Sequence, residues 1–382
     1  MAIGAQGICK PITKNPSCTP MGCRILYLIG QLDRGGYQHQ LYYLLKSMDR
    51  GYYQPEVVVW NFCEADTCGR QIRALGVPLH SFPSGLSRFM KLRAFRRIVR
   101  QLKPELVHSY SFYTNFAAWW ATRGSNAIAI GSIRQDFISE RRITGIILGR
   151  LSAQFPMIQI SNSLAGQKAA AQSGGLFKPS HVYVVHNGID FDGSGIHPLP
   201  QNGSSLLAVG RLNPEKRWDR LLRAIVLLAA KRITFSVRLA GDGPLLKELE
   251  SQARNLGVDG LVQFLGLRHD IPSLLKESSF LIHTADAEGC PNVVMEAMAF
   301  GRAVVATDAG DVPYLVEDGK TGFVVRRGDD AMLVERMATL IMDHDLCRRM
   351  GEAGRVKAER EFGLDRLVSD TLAAYQAIGW NG

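Results

Sequence analysis

The sequence predicts an α/β fold made of two successive Rossmann-like domains that face each other across a cleft. Along most of the 382 residues, short apolar runs alternate with amphipathic segments, which is typical of parallel sheets covered by helices on both faces. The pattern stops at residues 190–205, a segment rich in Gly, Pro, Ser and Asn, and then begins again. The length also favours two domains over one.

Each half contains apolar runs of strand length that are continuous rather than alternating. Continuous runs indicate strands buried on both faces of a parallel sheet. The first half has RILYLIG, EVVVW, VPLHSF, LVHSYS, AIAIGSI, MIQIS and VYVVHNG, with helix-like segments such as QHQLYYLLKSM and NFAAWWATR between them. The second half has LLAVGR, FSVRLAGDG, LVQFLG, SFLIHTA, RAVVATDAG and GFVV.

These patterns divide the chain into five parts. We expect a flexible leader over residues 1–20, because this stretch lacks the apolar core of a signal peptide. An N-terminal domain over 21–190 and a linker over 191–204 follow. A C-terminal domain over 205–360 comes next, and a terminal helix over 361–382 is expected to cross back onto the first domain.

The composition excludes several classes of protein. No apolar run approaches the ~20 residues that a membrane-spanning helix needs. The seven cysteines are odd in number and contain no CxxC pair, which favours reduced thiols over a disulfide framework or a zinc site. We therefore expect a cytoplasmic protein without a structural metal.

Positive charge is concentrated in the first half of the chain. Residues 1–190 hold 22 Lys and Arg against 9 Asp and Glu, whereas the whole chain has a net charge of +10. The densest stretch, RFMKLRAFRRIVRQLK at residues 88–103, also has apolar residues at helical spacing. We expect its apolar face to pack on a sheet and its basic face to meet an anionic membrane surface. No aromatic-basic platform accompanies the charge, so nucleic acid is not the expected partner.

Two cations follow the first strand of the second half, in AVGRLNPEKRWDRLLRA. Asn213 is a candidate helix cap and Pro214 suits the first helical position. Arg211 and Lys216 would then lie near a helix N-terminus, where cations and free N–H groups can bind a diphosphate. The alternative interpretation is ordinary surface charge.

The segment EGCPNVVMEA, residues 288–297, places two glutamates eight residues apart. This spacing does not put them on one helix face, so Glu288 is expected in a loop and Glu296 inside the following helix. Gly289 lets a ligand approach the backbone closely. The first N–H groups of the helix, near Asn292 and Val293, suit an anion or sugar hydroxyls. The alternative is a buried helix with favourable N-terminal acids.

Residues 203–325 resemble the donor half of the retaining glycosyltransferases of family 4, which have the GT-B architecture. The resemblance rests on an ordered set of motifs rather than on one. The set is AVGRLNPEKRWDRLLRA, RLAGDGPLLKEL, VQFLGLRHDIPSLL, EGCPNVVMEAMAFGRAVVATDAG and LVEDGKTGFVV. The first half is similar to the acceptor domain of the family more loosely, through LIGQLDRGGYQHQLYYLL and VVHNGID.

The resemblance implies a role for each matching residue. Arg211 and Lys216 would neutralise the diphosphate of a UDP- or GDP-sugar, and with Glu288 they form the predicted catalytic group. Glu296 would hold the ribose. The other donor-side residues that the resemblance implies are Gly35 and Gly36 at the diphosphate, Leu267 and Arg268 at the base, and Gly289, Cys290, Pro291, Asn292 and Val293 at the sugar.

The acceptor side is matched less well. His108, Tyr110 and Arg134 are the acceptor-side candidates, although Tyr110 stands where the family often has a second His. Asp311 and Tyr314 stand where the family usually has a Gly and a Glu, a departure that bears on donor selection. Cys290 is not expected to be a nucleophile, because no His is placed as its base.

The expected activity is transfer of a hexose from a nucleoside diphosphate to an acceptor, with retention of configuration and without a metal. The basic first half favours a lipid-linked or polysaccharide-precursor acceptor at the inner face of the membrane. Two alternatives stay open at this point. One is a GT-B epimerase or phosphorylase, and the other is a non-catalytic module that binds a sugar nucleotide or a membrane.

Overall fold

The computed structural model describes residues 23–33, 35–173, 177–191, 196–200 and 204–382. The predicted leader over 1–20 lies outside these residues. So do residues 192–195 and 201–203 of the predicted linker over 191–204. Within the described part, the chain forms two parallel sheets, each with helices on both faces.

The first sheet has seven parallel strands in the spatial order β3-β2-β1-β4-β5-β6-β7. All seven apolar runs of the first half form strands. Their bounds are β1 Cys23–Ile29, β2 Tyr53–Val59, β3 Leu79–Ser81, β4 Leu106–Ser109, β5 Ile128–Ile133, β6 Ile158–Ser161 and β7 His181–Val184. The central strands β1 and β4 are almost fully buried, as continuous apolar runs require.

Helices connect these strands and cover the sheet. They are α1 Gly36–Ser47, α2 Thr67–Ala74, α3 Arg88–Leu102, α4 Asn115–Thr122, α5 Phe137–Thr144, α6 Ile146–Gln154 and α7 Leu164–Gln172. Helix α3 is the predicted basic amphipathic helix, and it buries Phe95 and Val99. Phe89, in the first turn of α3, is 57% exposed, so the packed face of the helix does not extend to its N-terminus.

The second sheet has six parallel strands in the order β10-β9-β8-β11-β12-β13. All six runs of the second half are strands. Their bounds are β8 Ser204–Val209, β9 Phe235–Ala240, β10 Val262–Gly266, β11 Phe280–His283, β12 Ala303–Thr307 and β13 Gly322–Val325. The helices are α8 Trp218–Ala230, α9 Leu246–Asn255, α10 Ile271–Lys276, α11 Asn292–Ala299, α12 Val312–Leu315, α13 Asp330–Met342, α14 His344–Glu361 and α15 Leu364–Ala377.

The last helix, α15, leaves the second sheet and packs against α1 of the first domain. Its Tyr375 is fully buried, and the Tyr375 hydroxyl lies 2.7 Å from Nδ1 of His108 in β4. Trp380, just beyond the helix, donates from Nε1 to Glu105 at 3.1 Å. The C-terminal segment therefore completes the core of the first domain.

The loops that follow the strands of one sheet contact the loops that follow the strands of the other. Gly289 after β11 lies against Arg134 after β5, and Asn292 at the start of α11 bonds Gly36 after β1. In doubly wound sheets the carboxyl ends of the strands form the ligand crevice. The predicted fold class, two Rossmann-like domains facing each other, is confirmed. No helix among the described residues is long and apolar enough to cross a bilayer.

Candidate functional site

Three ionisable side chains meet at the carboxyl edge of the second sheet. Lys216, in the loop after β8, forms an ion pair with Glu288 in the loop after β11. His283, the last residue of β11, places Nε2 3.0 Å from the same Glu288 oxygen. Lys216 and Glu288 are 72 residues apart in sequence, and adjacent parallel strands β8 and β11 bring them together.

This pairing fixes the charge of Glu288. Burial by itself would raise the pKa of this carboxyl group, but the charges of Lys216 and His283 outweigh burial and hold it at about 2. Glu288 is therefore ionised across the physiological pH range. It can accept hydrogen bonds from hydroxyl groups, whereas it has no proton to give as a general acid.

The local backbone around Lys216 differs from the prediction. We expected a helix capped by Asn213 and starting at Pro214, but Pro214–Lys216 form a single 3-10 turn and α8 begins at Trp218. The break is at Arg217, which has a left-handed φ of 54° and ion pairs with Asp219 and Asp286. Since the turn is closed by its own backbone bonds, Lys216 contributes its ammonium rather than a free helix N-terminus.

Arg211 supplies a second cation at the same edge. Its side chain is exposed and, among the described residues, has no carboxylate partner. Across the cleft lies Tyr37 of α1, whose pKa is raised to about 12 mainly by burial, while the Arg211 charge acts to lower it. The charge of Arg211 therefore acts across the cleft, and an anion bound there would interact with it.

The segment after Glu288 packs directly on the first domain. A Cβ built on Gly289 would lie 2.7 Å from Oδ1 of Asn162 and 3.1 Å from the carbonyl oxygen of Arg134. Only glycine permits this approach. The next residue, Cys290, is buried, and burial raises its pKa to about 12, so the thiol stays protonated and no thiolate nucleophile is available.

Helix α11 follows the Pro291 N-cap, with Val293 partly buried against the core. Asn292, its first residue, donates from Nδ2 to the Gly36 carbonyl oxygen at 3.1 Å. Asn292 in turn accepts from Nδ2 of Asn187 at 2.7 Å. Gly35, the N-cap of α1, and Gly36 thus lie next to the N-terminus of α11. Their predicted contact with a diphosphate stays a prediction. The Asn292 side chain bonds protein atoms of the first domain.

Glu296 lies one turn further into α11 and has a different environment from Glu288. Its carboxylate is partly buried and, within the described ranges, forms no hydrogen bond or ion pair. Burial raises its pKa to about 7. The pKa of Tyr43 in α1 is raised mainly by burial and secondly by the charge of Glu296. The carboxylate of Glu296 therefore lies near the first domain.

Leu267 and Arg268 follow β10 at the outer end of the same edge. Leu267 is 59% exposed, and Arg268 donates from Nε to Asp270 at 2.8 Å. These residues form one open side of the cleft, beyond the Lys216–Glu288 pair. Their predicted contact with the base of a nucleotide stays a prediction.

The three acceptor-side candidates form a buried cluster in the first domain. His108 uses both ring nitrogens, Nδ1 with Tyr375 at 2.7 Å and Nε2 with Ser132 at 2.9 Å, and burial lowers its pKa well below the usual value. Arg134 lies with its guanidinium carbon 3.8 Å from the ring centre of Tyr110. The backbone carbonyl oxygen of Arg134 lies against Gly289, and both ring nitrogens of His108 are engaged by side chains of the protein.

Several residues of this site escaped the sequence reasoning. His283 lies within the SFLIHTA run and is the last residue of β11, and a histidine at the end of a predicted strand is the signal that points to it. Asn187 bonds both Asn292 and the Cys290 carbonyl oxygen, and Gln40 bonds both backbone groups of Gly188. These contacts join segments more than 100 residues apart, so no local pattern predicts them.

Taken together, the cleft contains two cations, an ionised carboxylate and a partly buried carboxylate at one sheet edge. Cations and an anion close together suit a ligand that carries both phosphate and hydroxyl groups. A sugar joined to a diphosphate has this composition.

Two family models match the chain and together span most of it. The model described as "Glycosyl transferases group 1" matches residues 194–357, and the model described as "Glycosyl transferase 4-like domain" matches residues 25–188. Their boundary falls between the two sheets.

Relatives and solved structures agree with these matches. D-inositol 3-phosphate glycosyltransferase of Streptomyces scabiei is 31% identical over 223 residues, which is 52% of this chain and 49% of that protein. N-acetyl-alpha-D-glucosaminyl L-malate synthase of Bacillus anthracis is 26% identical over 180 residues, 47% of each chain. The chain spans about half the length of the curated relatives it matches.

The crystal structure of Anabaena Alr3699/HepE in complex with UDP-glucose has a similar fold. It superposes with a TM-score of 0.77 and 21% identity, over 93% of this chain and 99% of that one. At this identity, the likeness shows the fold.

Proposed function

Because the chain belongs to the group 1 glycosyltransferases and has their GT-B fold, we propose that it transfers a hexose from a UDP- or GDP-sugar with retention of configuration. The arrangement of Lys216, Arg211 and Glu288 at one sheet edge carries the proposal. The two cations bind the diphosphate. Glu288 accepts hydrogen bonds from the sugar, and Glu296 accepts them from the ribose.

The reaction breaks the bond from C1 of the sugar to the diphosphate oxygen and forms a bond from C1 to the acceptor oxygen. The acceptor proton passes to the leaving phosphate, which acts as the base on the same face of the sugar. Lys216 and Arg211 stabilise the negative charge that develops on the diphosphate. Neither glutamate is assigned as a nucleophile, since Glu288 is ion-paired and Glu296 lies at the ribose end.

No metal takes part in this mechanism, because the two cations do the electrostatic work at the diphosphate. Transfer should therefore continue in excess EDTA at the rate measured with Mg²⁺. Loss of turnover in EDTA, restored by added Mg²⁺, would contradict this part of the proposal.

The test begins with a panel of UDP- and GDP-sugars screened for thermal stabilisation, since a bound donor raises the apparent stability by mass action. Release of the nucleoside diphosphate is then measured for wild type, Glu296→Gln and Lys216→Met. We expect both variants to lose at least about 100-fold in turnover. The control is Lys231→Ala at the exposed end of α8, which should keep full activity.

The same assay separates the alternatives. An epimerase would convert the donor sugar without an acceptor, and a phosphorylase would need inorganic phosphate. A non-catalytic module would bind the nucleotide without turnover. Full activity in Glu296→Gln would show that the proposed site is not the active site.

We propose a negatively charged acceptor, as in lipid-linked or polysaccharide-precursor saccharides that carry phosphate. Arg134 supports this: it is 6% exposed, its Nε has no partner, and no carboxylate among the described residues lies within ion-pair distance. The charge of Arg134 also acts on the nearby Glu140, but burial raises the pKa of that carboxyl group to about 8, so an anionic ligand would stabilise the buried cation. Arg134→Lys should weaken transfer to an anionic acceptor and leave hydrolysis of the donor unchanged; equal loss of both would contradict this role.

We also propose that the first domain binds an anionic membrane surface. Four isoleucines of α5 and α6 project into solvent, and we call them the isoleucine ridge: Ile138, Ile143, Ile146 and Ile147, which are 67%, 74%, 77% and 76% exposed. The exposed Arg142 lies among them without an ion-pair partner in the described chain. Apolar side chains flanked by cations are typical of segments that lie in a membrane interface.

Sedimentation with phosphatidylglycerol vesicles tests the membrane proposal independently of catalysis. The double variant Ile146→Ser, Ile147→Ser should lose most of its binding. The control Met342→Ser, at a 67% exposed apolar position of the second domain, should retain it. Binding that is equal for both variants, or equal for uncharged phosphatidylcholine vesicles, would overturn the proposal.

A further inference from the structure

Asp311 connects the two domains through its side chain. It lies between β12 and α12 of the second domain and is 3% exposed. Its carboxylate accepts hydrogen bonds from the backbone N–H groups of Leu164 at 2.7 Å and Ala165 at 2.8 Å, the first two residues of α7 in the first domain. The ring of His186 lies 2.8 Å away from the same carboxylate.

The backbone of Asp311 bonds a second segment, the loop that contains Gly289. Its N–H donates to the carbonyl oxygen of Gly289 at 2.9 Å. Gly289 follows Glu288 directly, so this bond fixes the loop that the proposed function assigns to the donor sugar. Asp311 thus binds the Glu288–Gly289 loop, which we call the donor loop, through its backbone N–H group. Its carboxylate binds the first domain.

The contact with α7 is strong for a defined reason. The first N–H groups of a helix have no partner within the helix, and the positive end of the helix dipole lies there. The Ser163 hydroxyl accepts a hydrogen bond from the N–H group of Gly166. The N–H groups of Leu164 and Ala165 are bonded by Asp311 instead. Charge-assisted bonds to two such amides, shielded from water, are stronger than ordinary surface contacts.

Tyr314 reinforces the same junction. Its ring stacks on His186, with the centroids 4.3 Å apart and the planes 7° from parallel. Tyr314 and Asp311 are the two positions of the second domain at which the sequence departs from the family pattern described above. Both residues lie at the same place in the structure, where α7 of the first domain meets the donor loop of the second.

We propose that Asp311 is a positioning residue, which sets the distance and orientation of the donor-sugar loop relative to the acceptor domain during transfer. This inference rests on the proposed function of the Glu288 loop. It predicts that loss of the carboxylate contact leaves donor binding intact, because the proposed donor contacts lie mostly in the second domain. Turnover should fall, because misplacement of reacting groups by about 1 Å can cost about 100-fold.

Two variants weaken the contact from opposite sides. Asp311→Asn replaces the anion by a neutral amide that has only one acceptor oxygen. Leu164→Pro removes one donor N–H at the first position of α7, where proline is well tolerated. The backbone of Ser163, with φ −148° and ψ 146°, already suits a following proline. The control His344→Pro places proline at the first, exposed position of α14.

The measurements use UDP-glucose as the probe, or the best donor of the panel. We expect Asp311→Asn and Leu164→Pro each to lower turnover at saturating donor by about tenfold or more, with an unchanged Kd for the donor. The effects of the two single variants should not add up in the double variant, since both weaken the same contact. Hydrogen exchange at the Ala165 amide should become faster in Asp311→Asn. His344→Pro should match wild type in all these measurements.

Each other outcome has a distinct meaning. Faster exchange with unchanged turnover would show that the contact is only structural and would overturn the positioning role. A rise in the donor Kd that accounts for the lost activity would also overturn it, because Asp311 would then act on donor binding. A wild-type protein that turns over no sugar nucleotide would overturn the proposed function, and the positioning role with it.

Discussion

At the scale of single residues, the two glutamates of the EGCPNVVMEA segment differ more than their chemistry suggests. Glu288 has a pKa of about 2 because a lysine and a histidine outweigh its burial. Glu296 has a pKa of about 7 because burial acts alone. Eight residues apart, one is a permanently ionised acceptor and the other titrates near neutral pH. We infer that the protein itself stabilises the ionised form of Glu288. The ionised form of Glu296 would be stabilised by a ligand that offers hydroxyl groups.

Glu296 should reduce the stability of the free protein at high pH. Its pKa rises from 4.5 to about 7 on folding, so the cost is absent below pH 4.5 and complete above pH 7. The shift corresponds to roughly 3 kcal/mol at most. Glu296→Gln should therefore be more stable than wild type at pH 8, with a smaller difference at pH 5, as measured by urea unfolding. The exposed control Glu335→Gln should show no such dependence; a Glu296→Gln advantage that is equal at both pH values would contradict the prediction.

Lys216 should contribute to stability as well as to catalysis. In Lys216→Met the mostly buried carboxylate of Glu288, with a side chain 14% exposed, loses its principal counter-ion. Removing one partner of a buried pair typically costs about 3–5 kcal/mol. Adding Glu288→Gln should restore much of this stability in urea unfolding at pH 7, although both variants remain inactive. A double variant as unstable as Lys216→Met would show that the lost stability comes from packing.

At the scale of elements, α11 is the structural centre of the cleft. The segment at its N-terminus, residues 289–292, contacts the loops after β1, β5, β6 and β7 of the first domain. The helix itself packs into the core of the second domain through Val294 and Met298. The helix ends at a left-handed glycine, Gly301, with φ 66°. A short helix with fixed ends can hold Glu288 and Glu296 at a constant separation.

The close approach of Gly289 to the first domain gives a direct test of this arrangement. A Cβ at position 289 would lie 2.7 Å from Asn162, so Gly289→Ala should destabilise the protein by about 1–3 kcal/mol through overpacking and should reduce turnover. The control Gly260→Ala has open space around the new Cβ and should change neither property. Thermal unfolding and donor turnover measure the two effects. A fully active, fully stable Gly289→Ala would show that the two domains do not meet there in solution.

At the scale of the whole molecule, the chain crosses between the domains twice, and the second crossing closes the structure. After β7 the chain enters the second domain, and α15 returns it to the first. The His108–Tyr375 contact joins residues 267 positions apart. The first domain thus includes the C-terminal end of the chain, so a fragment that stops near residue 190 would lack part of its core.

Tyr375→Phe should measure how much the contact between the C-terminal helix and the first domain contributes to stability. The substitution deletes a hydroxyl that lies 2.7 Å from a buried ring nitrogen of His108. Leaving a buried polar atom without a partner costs about 1–3 kcal/mol. The control Tyr183→Phe removes only a long, exposed contact of 3.5 Å to Ala377 and should be nearly neutral. Urea unfolding compares the two variants. Equal losses of stability would indicate that the buried hydrogen bond stabilises the protein no more than the exposed contact does.

Much of this protein could be predicted from the sequence because the signals are local. The continuous apolar runs identified all thirteen strands of the described chain, since a strand buried on both faces must be apolar at every position. The order of motifs identified the family. The Glu-x7-Glu spacing correctly placed Glu288 in a loop and Glu296 in a helix. Local signals failed at Pro214, where a proline after an asparagine indicated a helix start but the ion pairs of Arg217 favour a 3-10 turn.

The sequence by itself determined the strands of the two sheets and the segments that contain the cations and carboxylates. Only the tertiary structure decided which of these groups meet. Lys216 reaches Glu288 because β8 and β11 are neighbours in the sheet, and Asp311 reaches α7 because the carboxyl ends of two sheets face each other. Charge state, too, was decided in three dimensions. The pKa of a carboxyl group depends on burial and on neighbours distant in the chain, which no spacing along the sequence specifies.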